Sequence, residues 1–103
     1  MMRANNDING LQAVAGLTKA AAVHHAKDSI RINSVAPVFI LTPQVKALIP
    51  GVETMKAGTI DGRWGTPEEV ADVVIFLSSP LSSFVQGTTV YADGGNSVMM
   101  PGC

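Results

Sequence analysis

The sequence predicts an α/β fold that forms the last portion of a doubly wound parallel sheet. Two runs with strand character, at residues 29–36 and 88–92, flank a long connection that contains an amphipathic helix. Strand, crossover helix and strand form a βαβ unit, in which the strands are parallel. Such a pair makes a poor core alone, because parallel strands need neighbours and cover on both faces. We therefore expect residues 1–103 to be one partial domain with apolar surfaces that need cover.

The first element is a helix predicted at residues 11–26. Its many alanines favour a helix, whereas Gly10 weakens the first turn and the polar residues 5–7 offer caps. The residues on its predicted apolar face are Val14, Leu17, Thr18, Ala21, Ala22 and His25.

A short β-branched run at residues 29–36 predicts the first strand, which Pro37 ends. The strand near Ile30 should present an apolar, unpaired edge, which invites association. Prolines and glycines then punctuate residues 38–65, so we expect a loop with a helical turn at residues 44–48. A loop this long in a compact domain is usually a lid or a binding loop.

A capped helix is predicted at residues 67–78. Thr66 is a good N-cap, Pro67 fits the first helical position, and Glu69 completes a capping box. The apolar stripe consists of Val70, Val73, Val74 and Leu77. The second strand follows at residues 88–92, then a turn at residues 93–95, and we expect residues 96–103 to be frayed.

Composition excludes several classes of function. The hydrophobic fraction is 47%, the charged fraction is 15%, and the net charge is −1 with no basic cluster. We therefore expect no nucleic-acid partner and no membrane contact. The single cysteine, Cys103, cannot form an internal disulfide, which favours a reducing, cytoplasmic location. No apolar signal segment or bilayer-spanning stretch is visible.

Four segments in this order resemble the C-terminal part of the short-chain dehydrogenase/reductase family. They are AVAGLTK at 13–19, RINSVAP at 31–37, GRWGTPEEVA at 62–71 and DGG at 93–95. The resemblance implies a Rossmann-type fold and a nicotinamide cofactor, NAD or NADP. The family's glycine-rich phosphate loop, its ribose-reading residue and its catalytic serine have no counterpart in this sequence.

The resemblance also locates the family's catalytic tyrosine and lysine, which lie four residues apart on the first helix. Asp7 stands at the tyrosine position and Leu11 at the lysine position. Neither can replace a phenol or an ammonium group, so we predict no catalytic residue in this chain. Tyr91 is interpreted as a packed strand residue. We predict no metal site, because His24 and His25 are adjacent on a helix and point apart.

The family's Pro-Gly-x-Ile/Val-x-Thr turn, whose backbone and threonine hold the nicotinamide carboxamide, matches residues 37–42. The resemblance therefore implies cofactor contacts from Pro37, Val38, Ile40 and Thr42. Val38 replaces the glycine, and a valine at positive φ is strained. We expect either a different turn or a nicotinamide ring held further away. Residues 43–61 match the family's variable substrate loop, and their apolar side chains are interpreted as packing.

Two functions follow from the resemblance. The first is an NAD(P)-dependent oxidoreductase, present as a C-terminal fragment or truncated gene model that is inactive alone. The alternative is a non-catalytic interaction protein that oligomerises with an intact family member. Members of the family pair through the long helix near residue 11 and through residues 67–92, so a homo-oligomer or a hetero-oligomer is expected.

Overall fold

The structure is a computed structural model that describes residues 4–99, with side chains from residue 12 onward. The helices are α1 (Ala4–His25), α2 (Pro43–Leu48), α3 (Pro67–Leu77) and α4 (Asn96–Met99), and the strands are β1 (Ser34–Pro37) and β2 (Thr89–Ala92). Three 3₁₀ turns lie at Ala26–Asp28, Val52–Thr54 and Pro80–Ser82. The strands hydrogen-bond to each other, and their ladder advances in the same direction along both, as in a parallel pair.

Two compact units divide the chain. Among the described residues, the first unit contains residues 4–36 together with Phe76–Val90, and the second contains Pro37–Ile75 together with residues 91–99. Each unit is held together by its own contacts.

Helix α1 begins at Ala4, about seven residues before the predicted start. The prediction was wrong because Gly10 weakens a helix without ending it, and the proposed caps at residues 5–7 lie inside it. In the first unit, the buried residues of α1 are Thr18 and Ala22. The Thr18 hydroxyl donates to the Val14 carbonyl at 2.8 Å. A Cβ added to Gly87 would lie 3.4 Å from the Ala22 Cβ, so this glycine permits a close approach to the helix.

Strand β1 begins at Ser34, five residues later than predicted. Ser29 has φ 58°, a left-handed conformation that interrupts an extended chain. Between them, the side-chain amide of Gln86 accepts from Ile32 N–H at 2.7 Å and donates to the Ile30 carbonyl at 3.1 Å. The Gln86 side chain thus makes the hydrogen bonds that a neighbouring strand would make. A β-branched run in the sequence does not reveal this contact, so the strand was predicted to begin too early.

The capping box of α3 is confirmed. The Thr66 hydroxyl accepts from Glu69 N–H at 3.2 Å, and the Glu69 carboxylate accepts from Thr66 N–H at 2.9 Å. The helix ends at Leu77, one residue before the predicted end. Helix α2 matches the predicted helical turn and extends it by one residue, to Pro43.

Residues 96–99 form the short helix α4, so the frayed tail was a wrong prediction for this part. The side chain of Asp93 starts the helix by accepting from Ser97 N–H at 2.9 Å. Residues 100–103, including Cys103, lie outside the described residues.

Little apolar side-chain area is buried. In the described residues, the buried apolar positions are Ala22, Ala36, Val52 and Ala57. Many large apolar side chains are exposed instead, as expected for part of a sheet whose faces lack cover. Across residues 4–99, none of the helices has the length and apolar character that crossing a bilayer requires.

Candidate functional site

A cavity of about 390 Å³ opens in the second unit, next to the residues that follow β1 and β2. Its volume falls within the range of small-molecule pockets. Ligands of open α/β sheets bind outside the carboxyl ends of the strands, which is where this cavity lies. Its lining is apolar at Val38, Ile40, Val70, Val73, Tyr91 and Ala92, and it is polar at Thr59, Asp61, Arg63, Glu69 and Asp93.

The turn after β1 avoids the strain that we expected at Val38. Val38 N–H continues the sheet by donating to the Ala92 carbonyl at 3.3 Å, and Val38 has no positive φ. The left-handed residue is instead Phe39, with φ 58°. A bulky residue in this region is an outlier and needs support from its surroundings.

Aromatic packing supplies that support within the second unit. The Phe39 ring meets the Trp64 ring edge to face, with centroids 5.4 Å apart and an interplanar angle of 68°. On another side, a Cβ added to Gly58 would lie 2.7 Å from Phe39 Cζ, so only glycine leaves room for the ring. The Trp64 indole N–H donates to the Met55 carbonyl at 2.8 Å, which holds its ring in place.

Gly65 pairs with the same turn through a parallel bridge to Ile40. Gly65 N–H donates to the Phe39 carbonyl at 2.9 Å, and Leu41 N–H donates to the Gly65 carbonyl at 2.8 Å. In such a bridge the N–H and C=O of the central residue face the opposite side. Within residues 4–99, neither group of Ile40 has a hydrogen-bond partner. One donor and one acceptor side by side complement a primary carboxamide.

The structure brings two of the four predicted cofactor residues to the cavity, Val38 and Ile40. Pro37 is exposed at the end of β1. Thr42 is the N-cap of α2, where its hydroxyl oxygen accepts from Val45 N–H at 3.2 Å. The hydroxyl hydrogen of Thr42 can still be donated to a ligand.

Charged groups of the cavity wall form a network around Glu69. The Arg63 guanidinium donates to both Glu69 carboxylate oxygens, at 2.9 and 3.1 Å. This bidentate contact, together with the bond from Thr66 N–H, lowers the pKa of Glu69 to about 2. The same contact raises the pKa of Arg63, so both groups are charged at neutral pH.

Asp93 is buried at the base of the turn after β2, with 4% of its surface exposed. Burial is the largest single influence and would raise the pKa of Asp93. The bonds from Ser97 and Gly95 N–H to its carboxylate outweigh burial, so its pKa lies below the ordinary value. This anion fixes the turn and is not free to act as an acid.

Several predicted residues lie elsewhere or differ from expectation. Asp7 and Leu11 belong to α1, but their side chains lie outside what the structure describes. Tyr91 is 49% exposed and lines the cavity, so its interpretation as a packed residue was wrong. His25 contacts Asp28 at 3.2 Å, and no group of three metal-ligating residues occurs among the described side chains.

Sequence reasoning missed Phe39, Trp64 and Gly65 as parts of the site. Gly65, immediately before the helix cap Thr66, was the available signal for a close backbone approach. Nothing local in the sequence signals that Phe39 takes a positive φ, because a distant ring and a distant backbone hold it there.

Comparison with known proteins identifies a matching family and related sequences. The family described as Enoyl-(Acyl carrier protein) reductase matches residues 12–97. A protein named Short-chain dehydrogenase anuF, from Penicillium roqueforti, is 42% identical over 95 residues, covering 88% of this chain and 34% of the relative. A cyclohexanol dehydrogenase from an Acinetobacter species is 52% identical over 81 residues, covering 79% of this chain and 32% of the relative. The chain thus spans about a third of the length of these curated relatives.

Solved structures agree. A C-terminal deletion mutant of Thermoplasma acidophilum aldohexose dehydrogenase superposes with a TM-score of 0.78 and 33% identity, over 93% of this chain and 46% of that one. A 3-oxoacyl-[acyl-carrier protein] reductase from Brucella melitensis gives a TM-score of 0.74 and 44% identity, over 82% of this chain and 32% of that one. The fold is therefore the C-terminal portion of a Rossmann-type doubly wound sheet.

Proposed function

We propose that this chain, which belongs to the short-chain dehydrogenase/reductase family, is the C-terminal part of an NAD(P)-dependent oxidoreductase and is inactive alone. The reaction of the whole protein is hydride transfer between a nicotinamide and an alcohol or carbonyl substrate. One observation carries the proposal, namely the unpaired N–H and C=O of Ile40 beside the cavity.

These two groups fit the carboxamide end of a nicotinamide. The Ile40 carbonyl would accept from the carboxamide NH₂, Ile40 N–H would donate to its oxygen, and the Thr42 hydroxyl would donate a further bond. A nicotinamide held here would supply or accept the hydride, and the role of the turn at residues 37–42 would be to hold its carboxamide group. Val38 contributes an apolar surface to the cavity next to the turn.

The sequence lacks the tyrosine and lysine with which the family carries out the proton transfer that accompanies hydride transfer. Asp7 and Leu11 stand where the family has its tyrosine and lysine. An aspartate is already ionised at neutral pH, and a leucine has no charge that could hold a ribose or lower a phenol pKa. This absence is why we propose inactivity for the isolated chain.

Nicotinamide titration of the isotope-labelled 103-residue chain, followed by NMR, tests the carboxamide site. We expect a saturable shift of the Ile40 amide resonance at tens of millimolar nicotinamide, since two or three hydrogen bonds of about 1 kcal/mol each give weak binding. Nicotinic acid, which lacks the amide donors, should shift it less. Thr42→Val should weaken the response, whereas Thr54→Val removes a hydroxyl from the same unit and should not. An Ile40 resonance that stays unmoved by nicotinamide would refute the proposal.

The alternative function is assembly with an intact family member. Its specific support is the apolar surface of the first unit, where Leu17 is 70% exposed, Val23 is 80% exposed and Phe84 is fully exposed. Contiguous exposed apolar patches mark contacts with another chain, and we propose that these side chains contribute to such a patch. Co-expression with an intact relative and size-exclusion chromatography test it. We expect a mixed oligomer that Leu17→Lys abolishes and Leu48→Lys, in the second unit, leaves intact. If none forms at micromolar concentration, assembly is not the function.

A further inference from the structure

Gly65 lies between two residues that are tied to one carboxylate. Arg63, two residues earlier, donates to both oxygens of Glu69. Thr66, the next residue, donates to Glu69 Oε1 from its N–H at 2.9 Å and from its hydroxyl at 3.3 Å. The Glu69 carboxylate therefore fixes the chain on both sides of Gly65.

Gly65 is also held closely against the turn at residues 39–41. Its N–H and its C=O are both bonded there, and a Cβ added to it would lie 2.8 Å from Ile40 Cδ1. Because hydrogen bonds weaken steeply as their geometry departs from the ideal, a displacement of Gly65 would weaken both bonds of the bridge. The direction in which Ile40 presents its free amide groups therefore depends on where Gly65 is held.

The neighbouring residue acts on the same turn. The Trp64 ring packs on Phe39, which is the residue at positive φ. A strained backbone conformation persists only when its surroundings determine it, and here residues 64 and 65 supply two of the restraints. The Arg63–Glu69 contact joins the two ends of the segment that contains Trp64 and Gly65.

We propose that Arg63 and Glu69 are positioning residues for the turn at residues 39–41. Both line the cavity, and the role that we assign to them acts through the backbone and not through a ligand contact. They hold Gly65 in the bridge, and the bridge directs the N–H and C=O of Ile40 toward a carboxamide. The ligand in this inference rests on the proposed function, whereas the positioning rests on the hydrogen bonds of the second unit.

Amide exchange measured by NMR on the full chain tests the positioning. In Arg63→Met, the Leu41 and Gly65 amides, which form the bridge, should exchange roughly fivefold faster, as expected for loss of a well-formed surface contact. Arg63→Lys, which restores the charge without the two-point contact, should lie in between. Lys46→Met, a matched control on α2, should change neither amide. The Gly87 amide, bonded to the Ile32 carbonyl at 2.9 Å in the other unit, reports whether the chain as a whole stays folded.

The second readout is the response of the Ile40 amide resonance to nicotinamide at about 50 mM. Loss of a contact with a purely structural role would leave this response unchanged. The response should be present in the wild type and in Lys46→Met, and should be reduced in Arg63→Met. Unchanged exchange of Leu41 and Gly65 in Arg63→Met would overturn the positioning. A full nicotinamide response despite faster exchange would overturn it as well. If the wild type itself gives no response, the carboxamide function fails, while the exchange ratio still decides the positioning separately.

Discussion

Arg31 joins three parts of the first unit by itself. Its guanidinium donates to the carbonyls of Leu77 at 3.1 Å and Ser79 at 3.2 Å, where α3 ends. It also donates to the carbonyl and hydroxyl of Ser82, each at 2.9 Å. The last carbonyls of a helix have no partner within the helix, so a planar cation with several donors suits this position.

Replacing Arg31 with methionine should lower the free energy of unfolding by about 2 kcal/mol, because it leaves several half-buried carbonyls without a donor. Urea unfolding followed by circular dichroism measures this. Lys27→Met removes an exposed cation from the same unit and should change stability by less than about 0.5 kcal/mol. Equal effects of the two substitutions would contradict the role given to Arg31.

Glu69 makes the stability of the chain depend on pH in a defined window. Its pKa is lowered from 4.5 to about 2 in the folded chain. A lowered carboxyl pKa contributes stability that is fully present above the unfolded value and is lost as the pH falls through the folded value. The loss therefore falls between pH 4.5 and about pH 2.

The urea midpoints of the wild type and Glu69→Gln should differ at pH 7 and converge as the pH falls through that window. Taking the difference removes the contribution of Asp93, whose pKa is also lowered. Glu68→Gln, at the adjacent exposed position, should follow the wild type throughout. A difference between the wild type and Glu69→Gln that stays constant down to pH 2 would contradict this prediction.

Among the elements, helix α3 has an N-terminus that the local sequence alone determines. Thr66 and Glu69 satisfy each other's backbone N–H groups, so the start needs no distant partner. Thr66→Ala should lower the free energy of unfolding by about 1 kcal/mol, whereas Thr66→Ser should retain most of it. Thermal or urea unfolding of the two variants measures the difference. If alanine and serine prove equivalent, the cap does not stabilise the fold as argued.

The start of strand β1, in contrast, is determined by residues that are distant in the sequence. Whether residues 30–33 belong to a strand is decided by Gln86, more than fifty residues away, and by the left-handed Ser29. The same holds at the candidate site. The sequence placed Val38 and Ile40 there by resemblance, but the positive φ of Phe39 depends on Trp64 and Gly58, which local patterns cannot anticipate. Local capping and turn chemistry could be predicted from the sequence, whereas contacts between distant segments could not.

At the scale of the whole molecule, the chain matches about a third of each curated relative, and its apolar side chains are exposed accordingly. Strand β1 has a single neighbour in the sheet of the described residues. Parallel strands are stable when both faces are covered, so we expect cover from additional chain or from another subunit. The assembly test with Leu17→Lys addresses this surface directly.

Cofactor affinity is the property in which this chain should differ most from an intact relative. A dinucleotide is anchored mainly through its pyrophosphate, held by a glycine-rich loop and a helix N-terminus, and this sequence contains no such loop. The turn at residues 37–42 offers two or three net hydrogen bonds of about 1 kcal/mol each, less than the ~4 kcal/mol that millimolar affinity requires. We therefore expect no measurable NADPH binding and no reductase activity with a carbonyl substrate from the purified chain. A fluorescence titration of NADPH measures this, with an intact family member as the positive control. Saturable binding below about 100 μM would contradict the prediction and would mean that the chain builds a cofactor site of its own, for example across a symmetric dimer.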